Sequence, residues 1–182
     1  MNDAIEVLLE EHRQLMIPIR NLERAVESLA SRGEAALPAA RTVLTEAARM
    51  VTTRLLDHAR KEDEVLFPAL ERTFDRDHGP TAVLRAEHQD IAAQAHVFKR
   101  TVHELERVGH PAILAGGSAL GALASGEGDV TRIVTLARAL IGLLEAHFGK
   151  EEEILFPMAR QMLSPGELLE IAGRMDTMEP GC

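Results

Sequence analysis

The sequence predicts an all-α protein, an up-down antiparallel four-helix bundle with a short C-terminal fifth helix. Apolar residues recur at alternating spacings of three and four along four long stretches, the pattern of helices that bury one face. No stretch shows the two-residue alternation of a half-buried strand. The first two connections are short and polar, which sets neighbouring helices antiparallel.

The first seam runs Ile5, Leu8, His12, Leu15, Ile19, Leu22, Val26 and Leu29. Asp3 and Glu6 form a capping box at its start, and Gly33 is its stop. The second runs Leu44, Ala48, Val51, Leu55, His58, Glu62, Val65 and Ala69, opening near Pro38 and closing before the turn from Asp77 to Pro80. The third runs Leu84, His88, Ile91, Ala95, Phe98, Val102 and Leu105, and ends at Gly109 and Pro111. The fourth, entered from Asp129, runs Ile133, Leu136, Leu140, Leu143, His147, Glu151, Ile154 and Met158. Ser164, Pro165 and Glu167 combine a capping box with proline at the first helical position, so a fifth helix runs to about Met175. Residues 1–162 therefore read as the bundle, and 163–182 as a short helix with a frayed tail. Pro18, Pro68 and Pro157 fall inside helices and predict kinks, because each removes a backbone N–H.

A chain of 182 residues fits one domain with a real core. With 46% hydrophobic and 27% charged residues and a net charge of -9, it reads as a soluble globular protein. There is no Trp and no Tyr. That excludes a tyrosyl nucleophile or radical, an aromatic belt in a bilayer and a stacking platform for single-stranded nucleic acid. The acidic balance repels phosphate backbones, which makes nucleic acid a poor partner. Cys182 is the only cysteine, so the chain has no intramolecular disulfide, thiolate metal site or CxxC pair. The N-terminal MNDAIEVLLEEH has the features of no signal peptide and no stretch approaches 18 apolar residues, so no membrane partner is expected and the expected compartment is the cytoplasm.

Eight histidines are many for this length. Four of them interrupt the apolar seams, one per helix: His12, His58, His88 and His147. Helices 2 and 4 also carry an inward Glu four residues later, Glu62 and Glu151. Buried carboxylates demand a partner or a metal, and a spacing of four keeps each His and its Glu on one face. The block from His58 to Pro68 repeats from His147 to Pro157 at an offset of 89, and Glu11-His12 repeats as Glu87-His88 at an offset of 76. The chain is thus two helix hairpins, each supplying His from its first helix and His plus Glu from its second.

Counting from the turn at Gly33 puts His12 and His58 level. The second hairpin is 13 residues longer (59 against 46), a surplus assigned to a Gly- and Ala-rich loop at 110–126. Glu11, Glu87, Asp57 and Glu145 are expected to be solvated, the other reading being a carboxylate that orients a ligand histidine from another helix; the acidic neighbours of Glu62 and Glu151 are expected to be solvated. His96 and His103 are expected on the flank of the third helix, with His78 and His110 in turns.

Four imidazoles and two carboxylates exceed one tetrahedral zinc and fit two metals, each with a position left for a bridging oxo or hydroxo group or an exogenous ligand. The donor mixture suits iron or manganese better than calcium or magnesium.

The two HxxxExExLFP blocks, with the Glu-His pairs on the first and third helices, resemble the hemerythrin-like, HHE cation-binding family over residues 3 to about 160. The resemblance implies a four-helix bundle with a non-haem di-iron centre held by His12, His58, Glu62, His88, His147 and Glu151. Oxygen-carrying members have a fifth His where this chain has Ala92, and an HxxxxD where it has Glu151. The resemblance therefore points away from reversible oxygen carriage, toward action on or sensing of O2, NO or peroxide, in iron handling or in nitrosative or oxidative stress defence. Any enzyme activity would be that of a di-iron oxidoreductase acting on peroxide or NO. The other reading is a structural or partner-binding bundle with a non-redox metal such as zinc, its fifth helix and Gly/Ala-rich stretch being the interaction surfaces.

Overall fold

The structure, a computed structural model, describes residues 2–108 and 119–178. Their elements are all helical, in a helical bundle. In chain order they are α1 (Ala4–Arg32), a 3-10 turn (Gly33–Ala36), α2 (Leu37–Val51), α3 (Arg54–Lys61), a π-turn (Glu62–Leu66) and α4 (Phe67–Leu70). These are followed by α5 (Pro80–Val108), α6 (Ala119–Lys150), a second π-turn (Glu151–Leu155), α7 (Phe156–Met162) and α8 (Pro165–Asp176). No described helix is long and apolar enough to cross a membrane.

Local chemistry sets these boundaries. At the start of α1, Asp3 accepts from the Glu6 N–H and Glu6 accepts from the Asp3 N–H, which satisfies two donors the helix leaves free. Gly33 ends the helix at φ 57°, a conformation costly to any residue with a Cβ, and its N–H bonds the Leu29 carbonyl. At the start of α8, Ser164 and Glu167 make the same reciprocal pair of bonds.

Three sequence expectations are corrected. The second helix is not continuous: it breaks at Thr52 and Thr53, whose hydroxyls bond the Ala48 and Arg49 carbonyls and compete with the helical ladder. The fourth helix begins at Ala119, not at Asp129. Residues 119–126 are therefore helix and not loop, because Ala and Leu propagate a helix well and each glycine costs only about 1 kcal/mol. The rest of that expected loop, and His110, lie outside the described residues.

The third correction concerns the inward face after the His layer. Ile154 is 59% exposed and Leu155 is buried, while Leu136 and Leu143 only flank a face made by Ile133, Ala137, Leu140 and Leu144. The reason is the π-turn. His147, Glu151, Leu155 and Ala159 are all buried at strict spacings of four, as are His58, Glu62, Leu66 and Leu70. In an α-helix three such steps drift about 120° around the axis, and the wider i to i+5 turn takes up part of that drift. The closing bonds run from the Phe67 N–H to the Glu62 carbonyl and from the Phe156 N–H to the Glu151 carbonyl. Pro68 and Pro157 follow directly, where a missing N–H cannot restore the tighter ladder. Pro18 sits within an uninterrupted α1.

The long helices pack as a ring, α1 beside α2 and α6, and α5 beside α2 and α6. Inside it lie two separate apolar cores. The larger holds Leu15 to Leu29, Leu44 to Leu55, Ile91 to Leu105 and Val130 to Phe148. The smaller gathers Ile5, Leu8, Leu66, Phe67, Leu84, Leu155 and Phe156 under the apolar face of α8, Leu168, Ile171, Ala172 and Met175. A layer of polar side chains separates the two.

Candidate metal centre

That layer consists of the six residues singled out by the sequence. His12, His58, His88, His147, Glu62 and Glu151 are all buried, none more than 5% exposed. Their inner atoms converge. His12 Nε2 is 3.0 Å from His58 Nε2 and 3.1 Å from Glu151 Oε2. His147 Nε2 is 2.9 Å from Glu151 Oε1, and His88 Nε2 is 3.4 Å from Glu62 Oε2 and 3.6 Å from Glu151 Oε1. Two groups with metal-ligating spacing result, Glu62-His88-His147-Glu151 and His12-His58-Glu151, which share Glu151.

The outer nitrogens are held by carboxylates, which for Glu11 and Glu87 is the alternative the sequence reading left second to solvation. His58 Nδ1 bonds Glu11 Oε2 at 2.8 Å, and His88 Nδ1 bonds Asp63 Oδ1 at 2.9 Å. His147 Nδ1 bonds Glu87 Oε2 at 3.0 Å, and His12 Nδ1 bonds Glu152 Oε1 at 2.8 Å. The expectation of solvation is corrected in that each carboxylate reaches across to the histidine of the neighbouring helix, although Glu152 is also 46% exposed. A carboxylate accepts, so each Nδ1 donates and each Nε2 is left facing inward, where loss of any proton it holds frees a lone pair for a metal. Lys61 and Lys150 pair with Glu11 and Glu87. Arg85 bonds the Asp63 carbonyl at 2.9 Å and the Glu71 carboxylate at 2.9 Å, and lies over the Phe67 ring.

The repeat carried the signal. Lys61 and Lys150, Asp63 and Glu152, and Glu11 and Glu87 all match across the two offsets. Of the other candidates, Glu145 is exposed and Asp57 pairs with Arg60, while His78, His96 and His103 are exposed, away from the layer.

The electrostatics are those of donors pressed together. Burial, then the charge of Glu151, pushes the Glu62 carboxyl well above its ordinary range. Burial acts on Glu151 in the same sense, but the imidazoles of His12, His147 and His88 close around it outweigh it and hold that carboxyl well down. Burial lowers the His58 imidazole. At His88 burial is overcome by the hydrogen bond to Asp63 and by the nearby carboxylates of Glu151 and Glu62, which raise it to about 11. Both oxygens of Glu62 and of Glu151, and Nε2 of His88, have no hydrogen-bond partner. Buried polar atoms left in that state cost about 1–3 kcal/mol each, and a cation among them would satisfy them together. The residues present fit a metal.

No curated protein matches the chain. The family model described as Hemerythrin HHE cation binding domain matches residues 3–115, which takes in His12, His58, Glu62 and His88. With more than half its length matched, and a buried His/Glu cluster where that description calls for cation binding, the chain belongs to the hemerythrin HHE cation-binding family.

Proposed function

We propose that the chain holds two iron ions, with His12, His58, Glu62, His88, His147 and Glu151 as the protein ligands, and acts on or senses O2, NO or peroxide. The observation that carries this reading is the pair of donor groups sharing Glu151. The 3.0 Å between His12 Nε2 and His58 Nε2 also suits adjacent ligands on one ion, since two metal–nitrogen bonds of about 2.1 Å at right angles end about 3 Å apart. Imidazole with carboxylate favours iron or manganese among the available metals. Bound iron supplies one-electron chemistry and open coordination positions. The protein supplies four oriented imidazoles, two carboxylates and exclusion of bulk water. Burial of all six residues restricts the reactant to molecules of a few atoms.

The reading includes the architecture: the long helices alternate in direction, residues 1–162 form the bundle, and 163–182 add a short fifth helix over the core nearest the metals. The proposed setting is cytoplasmic iron handling or stress defence. The test is anaerobic loading with ferrous iron, followed by metal analysis and spectroscopy after exposure to air. Two irons per chain and the near-ultraviolet absorption of a bridged ferric pair are expected, clearly visible in a chain without Trp or Tyr. Two zinc ions and no iron under the same conditions would refute it in favour of a structural bundle. The double variant His58→Ala, His147→Ala is expected to fold and bind no metal.

A further inference from the structure

The two halves of the repeat differ beside the polar layer. In one half, His12 has aromatic neighbours from both cores: Phe148 stacks on it at 4.1 Å and 21°, and Phe156 lies at 5.4 Å and 31°. In the other half, Phe67, the counterpart of Phe156, lies parallel to His88 at 5.7 Å and 5°. The counterpart of Phe148, however, is Ala59, 89 residues earlier. Among the described residues no second Phe ring packs on His88. The residue four beyond His88 is likewise Ala92, where the residue four beyond His12 is Met16. Helices α3 and α5 therefore carry methyl groups at the positions where α6 and α1 carry a phenyl ring and a thioether.

Among the layer's imidazoles, His88 has its Nε2 buried without a hydrogen-bond partner, whereas Nε2 of His12 and His58 face each other 3.0 Å apart. The unpartnered oxygens of Glu62 and Glu151 belong to the same donor group as His88 and His147, and Glu151 also reaches the His12–His58 group. A buried donor set without partners, next to missing side-chain bulk, is where a small molecule meets least resistance and most polar attraction.

We propose that the α3–α5 seam, past Ala59 and Ala92, is the route by which a molecule the size of azide or nitric oxide reaches the centre, and that it binds on the His88–His147 side while Phe148 shields the His12–His58 side. The inference rests on the proposed metal pair for the identity of the bound end, but the route is a property of this chain's own packing.

The test has two arms. In the iron-loaded protein, Ala59→Phe writes the residue at 148 into its counterpart position. It is expected to keep full metal content while slowing azide or NO association at least tenfold, and Phe148→Ala is expected to leave wild-type binding in place. Because a phenyl ring in a packed seam strains the fold, Ala92→Met provides a milder block, expected to slow association several-fold. In the metal-free protein, xenon pressure is expected to shift the Ala59 and Ala92 methyl resonances in the wild type and not the remaining one in either filled variant. Unchanged association in metal-replete Ala59→Phe and Ala92→Met, or no xenon response at Ala59 and Ala92, would overturn the proposal. A wild type that binds no metal would instead overturn the reading of the centre, and the xenon arm would still decide the route.

Discussion

Replacing Glu62 with methionine should make the metal-free protein more stable. Both Glu62 oxygens are fully buried without a hydrogen-bond partner, and leaving a polar group so placed costs about 1–3 kcal/mol. Methionine has similar length and fills the same space with no group that needs a hydrogen bond, while His88 keeps its bond to Asp63. Recovering one such penalty, about 2 kcal/mol, raises Tm by roughly 4–8 °C in a chain of this size. The carboxyl is raised well above 4.5 by burial and by Glu151, which adds a pH signature. A group raised in the folded state contributes stability that is fully present below its unfolded value and is lost as pH rises through the folded value. The wild type therefore loses ground to Glu62→Met from about pH 4.5 upward, and the gap widens with pH. Thermal and urea melts of chelator-treated proteins between pH 5 and 8 measure both effects. With iron loaded the order should reverse, because only the wild type gains the full metal-binding free energy. A metal-free variant less stable than wild type at every pH would mean that Glu62 is a satisfied structural group, and the reasoning from its unpartnered oxygens would be wrong.

Metal uptake at pH 7 should release at least the proton held by His88, raised to about 11 without metal; uptake in weak buffer with an indicator dye and no acidification would contradict this. Glu11→Ala and Glu87→Ala should each weaken metal binding about 10- to 100-fold by freeing an imidazole, whereas Glu145→Ala, on the exposed face, should change nothing in the same chelator competition. Ser164→Ala should cost about 1 kcal/mol and speed amide exchange in α8. Hydrogen bonds from the Ser164 backbone and hydroxyl, then the charge of Arg72, hold the Glu167 carboxyl low against slight burial, so this cap should weaken as pH falls through that lowered value. Gly79→Ala should destabilise by about 1–3 kcal/mol, since its Cβ would lie 2.7 Å from the Asp75 carbonyl and 2.5 Å from the Phe74 ring; an unchanged melt would show that the 71–79 turn adjusts freely.

The apolar periodicity made the helices and the polar layer legible, because a His or Glu in a buried seam contradicts its surroundings and so stands out. What it hid was whatever depends on helical pitch or on a neighbouring helix. A uniform 3.6-residue turn places Ile154 inward; yet the run of fours His147, Glu151, Leu155, Ala159 already departs from that pitch. The 89-residue offset, carried from Leu44, Ala48, Val51 and Leu55 to Ile133, Ala137, Leu140 and Leu144, locates the inner face of α6 without error. The outer carboxylates were hidden for another reason. Glu11 and Glu152 lie off the apolar face of their own helices, and a one-helix projection places them in solvent. Only the packing of the neighbouring helix brings His58 and His12 within their reach.

Those four outer contacts run in one direction. Glu11 of α1 holds His58 of α3, Asp63 beyond α3 holds His88 of α5, Glu87 of α5 holds His147 of α6, and Glu152 beyond α6 returns to His12 of α1. Two of the contacts stay within a half of the repeat and two cross between halves, so neither half alone can orient its own pair of imidazoles. Two identical hairpins meeting about a dyad would close the same circuit, which makes the fused chain the covalent equivalent of a homodimer. Fusion then releases each half from having to match the other, and Phe148 against Ala59, like Leu9 against Arg85, marks where that freedom has been used.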